Sequence, residues 1–204
     1  MAERIAIIDF ETTGMSPTHG ARAAEVGIVM IEGGRIVDRY QSLMNAGVRI
    51  PGHIEALTGI SNAMVRSAPP SGDVMRAVSD FVGGIPIVAH NAAFDAKFWD
   101  AELARIQRSR QQGFVCSLLL SRRLLPLAPS HKLVALVEYA GLPVAGRYHR
   151  ALADAEMAAS LLVRLEQELR LRHHVHDVSV ELLQRIQCAP KAQLHKCLAS
   201  GRHD

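Results

Sequence analysis

Ile5-Ala6-Ile7-Ile8-Asp9-Phe10-Glu11-Thr12-Thr13-Gly14 is an apolar run that ends in two acids one residue apart. The run over 4–9 suits a buried β-strand, and the acids stand where that strand ends. Side chains alternate along a strand, so Asp9 and Glu11 project to the same side with Cα atoms roughly 7 Å apart. Carboxylates at the end of an apolar strand are costly unless a metal or a basic partner compensates them. The pair is therefore a candidate for holding one hard cation, with a solvated strand end as the ordinary alternative.

On either side of this stretch the pattern continues. Segments 23–31 and 35–43 read as two further strands around a Gly33-Gly34 turn, and 53–70 carries cap and turn residues (Gly59, Ser61, Pro69-Pro70) that suit short helical turns. A helix is expected over 73–82, a short strand over 85–89, and a helix capped by Asn91 with Phe94, Phe98 and Leu103 near helical spacing. A fifth strand fits 114–117. Ser130 is placed to cap a helix carrying Leu133, Leu136 and Val137, which Gly141 and Pro143 stop, and a long helix covers about 151–171. Strands first, then helices alternating with two more strands, predict an α/β fold, a mixed five-stranded sheet flanked by helices. After Arg172 the pattern changes to His173-His174-Val175-His176 and two short helical runs. The division expected is a main domain over 1–172 and a C-terminal helical extension over 173–204.

The chain's 204 residues, 49% hydrophobic, suffice for one sizeable core and fall short of two. Its first residues show no secretion signal, and the longest run without formal charge, 81–94, is too short and too polar to span a bilayer. Three cysteines without CxxC spacing are poor material for a disulfide framework, so a soluble, cytoplasmic protein is expected. The net charge is +3, yet the segment 103–150 alone carries +7, with Glu138 its only acid. Such a segment is either a phosphate-tracking surface or a set of solvated helix faces. His173, His174, His176, His195 and Cys197 match no familiar zinc spacing and read as a solvated tract.

Two more motifs bear on chemistry. In His90-Asn91-Ala92-Ala93-Phe94-Asp95, at a strand-to-helix junction, Asp95 falls in the first helical turn, where the helix dipole favours a carboxylate. In His149-Arg150-Ala151-Leu152-Ala153-Asp154, His149 belongs to the loop and Asp154 to the helix, with Ala151, Ala153, Ala155 and Ala158 permitting close approach to the sheet. Together, Asp9, Glu11, Asp95 and Asp154 form an all-oxygen donor set of the kind magnesium or manganese prefers. Two such ions can activate a water and stabilise the leaving oxygen of a phosphodiester. A histidine, with an ordinary pKa of about 6.5, can take the water's proton at neutral pH.

These three motifs, in this order, resemble those of the DEDDh (DnaQ-like) exonuclease family, over about residues 4–170. That family includes polymerase III epsilon subunits, ribonuclease T and oligoribonuclease. The resemblance implies a ribonuclease-H-like fold, 3′ to 5′ polarity and two divalent ions, magnesium or manganese. It implies Asp9, Glu11 and Asp154 as direct ligands, Asp95 acting mainly through water, and His149 as general base. It also suggests substrate contacts at Phe10, Thr12, Thr13, His90, Asn91 and Phe94, with Leu57 wedged against the terminal bases.

The function expected is hydrolysis of DNA, single-stranded by preference, from its 3′ end. An RNA-trimming enzyme of the same fold and a polymerase-bound proofreading subunit are the neighbouring readings. The resemblance allows a homodimer and a DNA polymerase partner. A non-catalytic nucleic-acid adaptor is the reading from another class, and four converging carboxylates argue against it, because binding a polyanion does not call for them.

Overall fold

The computed structural model describes residues 3–144, 146 and 148–199. Arg147 of the basic segment and residues 200–204 of the expected extension lie outside the described residues. The chain opens with β1 (Arg4–Thr12), β2 (Ala23–Glu32) and β3 (Arg35–Leu43). Gly33 and Gly34 hold φ of 57° and 75°, the left-handed pair that a two-residue hairpin between β2 and β3 requires. The cap-rich stretch becomes α1 (Gly52–Thr58) and α2 (Asn62–Arg66), followed by α3 (Ser71–Val82). Then come β4 (Ile87–Ala89), α4 (Ala92–Arg105), β5 (Phe114–Cys116), α5 (Ser117–Leu124), α6 (Leu133–Tyr139) and α7 (Ala151–His173). Finally α8 (Val180–Cys188) and α9 (Leu194–Ala199) close the described chain.

The sheet order is β3-β2-β1-β4-β5, with β1 antiparallel to β2 and parallel to β4. Both sheet faces are covered, which is why β1 and β2 are almost continuously apolar. Ile5, Ile7, Val29 and Ile31 face α7, while Ala6, Ile8, Phe10, Val26, Ile28 and Met30 pack with α3 and α4. This is the mixed five-stranded α/β sheet expected.

Four local expectations change. β1 continues to Thr12, so Asp9 and Glu11 lie within a paired strand; the ladder holds through Glu11 opposite Glu25 and shifts register only afterwards. Asn91 occupies the N-cap of α4, but in a left-handed conformation (φ 68°) and without a capping hydrogen bond from its side chain. Ser130 accepts the Lys132 N–H in a turn, and the α6 N-cap is Lys132. The helix α5 was not anticipated.

The C-terminal segment shares the main core. Val175, Val180, Leu182, Leu183, Ile186 and Leu198 are buried with the α5 and α7 side chains. Gln187 of α8 completes β5's open edge: its Oε1 accepts the Cys116 N–H at 2.6 Å and its Nε2 donates to the Phe114 carbonyl at 3.1 Å. Without such a partner the edge strand would leave backbone groups unpaired.

Candidate active site

Four carboxylates reach one end of the sheet from three segments. Asp9 and Glu11 project from β1 toward the α7 side. The first turn of α7 rests on that side at Gly27, the β2 partner of Asp9. A Cβ on Gly27 would stand 2.2 Å from both the Ala151 carbonyl carbon and the Leu152 nitrogen, so only glycine lets helix backbone touch strand backbone here. Asp154, in that first turn, is thereby delivered to the ends of β1 and β2. Asp95, 2% exposed, comes from the first turn of α4, and its Oδ1 accepts the Phe10 N–H at 3.2 Å. That bond ties the start of α4 to β1 between Asp9 and Glu11.

His149 is exposed and precedes α7 with φ 59°. Its N–H donates to Asp154 Oδ2 at 3.1 Å. A ring nitrogen of His149 and carboxylate oxygens of Glu11 and Asp154 all lie within 4.8 Å of one another. Among the described residues this is the one cluster of His, Cys, Asp and Glu side chains close enough to share a cation, and the histidines of the C-terminal segment form none.

The electrostatics show how much negative charge is gathered. Burial, then the charges of Asp95, Asp154, Glu11 and Glu25, push the Asp9 carboxyl well above the usual range. Glu11 is pushed up to about 8 by burial and by Asp154, Glu25 and Asp95, with Arg150 pulling the other way. Asp95 rises to about 8 through burial, against the Phe10 N–H, its own N–H and Lys97. Asp154 rises to about 6, also through burial, with the His149 charge and N–H opposing. Burial and mutual repulsion outweigh the nearby Arg150, Lys97 and His149, and hard divalent cations with oxygen ligands fit the negative charge that remains.

The largest residue missed in the sequence is Glu25. It is fully buried opposite Glu11, where it accepts from Gln41 Nε2 at 2.8 Å, from Arg150 Nη2 at 2.7 Å and from the Ala151 N–H at 3.1 Å. The available signal was an acid inside an otherwise apolar strand, since a buried carboxylate requires a partner elsewhere in the chain.

The expected substrate residues divide. Phe10's ring is 4% exposed and packs on Trp99, so it belongs to the core. His90 uses both ring nitrogens internally, with Ser117 Oγ at 2.9 Å and the His131 carbonyl at 3.0 Å. A carbonyl only accepts, so Nε2 carries the proton and Nδ1 accepts from Ser117; burial, with the charges of His131 and Arg122, lowers the ring's pKa to about 4 against the pull of the His131 carbonyl. Thr12 Oγ1 donates to the Gly14 carbonyl, and Thr13 Oγ1 accepts the Arg22 N–H. Asn91 is exposed, Phe94 is half-buried beside Phe98 and Lys97, and Leu57 protrudes from α1 with 53% exposure.

Most of the basic segment is also engaged internally. Arg108 pairs with Asp80, Arg110 with Asp100, Arg105 with Glu102 and Arg150 with Glu25, while Arg123 donates to the Ala189 and Leu119 carbonyls. These five arginines thus have carboxylate or carbonyl partners within the chain.

The RNase T exonuclease family model matches residues 6–162, a span that holds all four carboxylates and His149. The chain belongs to this family. Among relatives of this exonuclease domain, the DNA polymerase III subunit epsilon of Aquifex aeolicus is 30% identical over 172 residues, 84% of each chain. The 3′-5′ exonuclease DinG of Bacillus subtilis is 36% identical over 175 residues, 82% of this chain. The chain spans only 11% to 18% of the length of the first curated relatives it matches. In structure it is similar to exonuclease X, solved in complex with 5′ overhanging duplex DNA, with a TM-score of 0.71 and 26% identity over 90% of this chain and 99% of the other. The epsilon-like, DEDDh-type resemblance of the sequence thus holds for fold and family. No helix among the described residues is long and apolar enough to cross a membrane.

Proposed function

We propose that the chain is a 3′ to 5′ exonuclease that releases nucleoside monophosphates from the 3′ end of DNA with the help of two divalent cations, magnesium or manganese. The observation that carries this reading is the convergence of Glu11, His149 and Asp154 within 4.8 Å beside Asp9 and Asp95. A structural ion pair would have placed a basic partner among these acids. Here the charged neighbours that act on Asp9 are all acids, and those that act on Glu11 are acids except for Arg150.

Asp9, Glu11 and Asp154 would hold the cations, with Asp95 completing the negative environment. When bound, the cations supply Lewis-acid charge to the scissile phosphate and to the attacking and departing oxygens. The His149 nitrogen facing Glu11 and Asp154 accepts the proton of the attacking water, and its exposed position lets it return that proton to solvent. Thr12 and Thr13 present main-chain groups beside the cluster, and Leu57 offers an apolar edge to the terminal base. The epsilon and DinG relatives, and the DNA held by exonuclease X, support DNA as the polymer.

The test is digestion of 5′-labelled single-stranded DNA and RNA of matched sequence, with magnesium, with manganese and with chelator. A descending ladder on DNA that chelator abolishes, and that Asp9→Ala lacks while retaining wild-type circular dichroism, is expected. A ladder on RNA alone would reassign the polymer. Cleavage by the chelated protein would remove the cation mechanism.

A further inference from the structure

Arg150 lies between the proposed base and a proposed ligand in the chain, and its guanidinium engages Glu25. Its Nε and Nη2 grip the fully buried Glu25 at 3.1 and 2.7 Å, and the same carboxylate accepts the Ala151 N–H. Gln41 from β3 donates to Glu25 as well. On one side of this clamp His149 takes φ 59°, a left-handed conformation that is unfavourable for a residue with a side chain. On the other side Gly27 holds the first turn of α7 against β2 without clearance.

We propose that Glu25 and Arg150 are positioning residues: their ion pair, buried at the Glu25 end, fixes the turn into α7 so that His149 faces Glu11 and Asp154. The inference rests on the exonuclease reading for the base role of His149. The backbone it concerns can be observed independently. Three constraints act on three consecutive residues. The His149 N–H is held by Asp154, the Arg150 guanidinium by Glu25, and the Ala151 N–H by Glu25 again. A left-handed residue persists only when its surroundings over-determine it, and here they do. Arginine suits the task because its planar fork engages one carboxylate through two nitrogens, whereas lysine offers a single point charge. The competing role for Arg150, a direct phosphate contact, would require the guanidinium to leave Glu25 buried and uncompensated.

The experiment combines steady-state kinetics with amide hydrogen exchange on the full chain. Arg150→Ala is expected to lower kcat about 10²-fold, the size of a misplaced general base, with KM for the oligonucleotide changed less than about threefold. The His149 and Ala151 amides should exchange at least about tenfold faster in that variant. Arg150→Lys should recover part of both quantities. Glu25→Gln, which keeps an acceptor for the Ala151 N–H, guards against a variant that fails to fold and should reproduce the kcat defect. Unchanged protection of the His149 amide in Arg150→Ala would overturn the clamp. A rise in KM with kcat intact would overturn it too and make Arg150 a phosphate contact. If the wild-type protein cleaved no oligonucleotide while the exchange response appeared as expected, the exonuclease reading would fall and the clamp would stand.

Discussion

His149 gains its place from its neighbours. Its backbone strain, its N–H bond to Asp154 and the proximity of its ring to two carboxylates all follow from the turn into α7. Replacing it with alanine removes the proposed proton acceptor and leaves the acids in place. His149→Ala is therefore expected to lose about 10²- to 10⁴-fold in turnover while manganese titration by calorimetry remains near wild type. Wild-type turnover by that variant would end the base assignment. The acidic residues were legible in combination: each alone has an ordinary explanation, a solvated strand end or a helix N-terminus, and only the set of four with a histidine calls for a cation. His90 was less legible. A histidine in a motif reads as a contact, and only the carbonyl of His131, 41 residues away, shows that its second nitrogen is engaged.

Gly27 carries the delivery of Asp154. Its missing side chain is the space in which α7 meets β2, and a methyl group there would overlap three backbone atoms. Overpacking of this kind typically costs 1–3 kcal/mol, and backbone cannot yield as a side chain can, so Gly27→Ala should destabilise by at least about 3 kcal/mol in urea titration. Activity should fall in the same variant, since relief requires α7 to lift away from β1. Wild-type stability would show that the contact is looser than drawn. The helix α5 escaped notice for a related reason. Its inward face is Ser117, Leu120, Ser121 and Leu124, half of it serine, so hydrophobic periodicity fails. The serines are buried because Ser117 supports His90 and Ser121 donates to the Ser117 carbonyl.

The pH dependence of stability belongs to the whole fold. Asp9, Glu11, Asp95 and Asp154 all bind protons more tightly when folded than the ordinary carboxyl value of about 4. Their contribution to stability is complete below about pH 4 and lost as pH rises through the raised values, near 6 for Asp154 and near 8 for Glu11 and Asp95. Cation-free protein should melt at lower temperature at pH 8 than at pH 5, each kcal/mol corresponding to about 2–4 °C in a chain of this size. Magnesium or manganese should stabilise more at pH 8, where the ligands give up their protons. A melting profile that is flat with pH, or unaltered in Glu11→Gln, would contradict the charge cluster. A second expectation concerns the C-terminal segment: truncation after His173 removes Leu182, Leu183 and Ile186 from the core and Gln187 from β5. The shortened protein should lose cooperative melting; a stable, active 1–173 fragment would show that the segment is an appendage.

The order of strands and of helices other than α5, the three motifs and the oxygen chemistry of the site were present in the chain as periodicity and residue type, which act locally. The clamp on Glu25, the contact at Gly27, the engagement of the arginines and the merging of the C-terminal helices with the core depend on which distant surfaces meet. Spacing along the chain does not encode those meetings. They arise when α7 is laid across a sheet, and burial then forces each charged group it covers to find a partner.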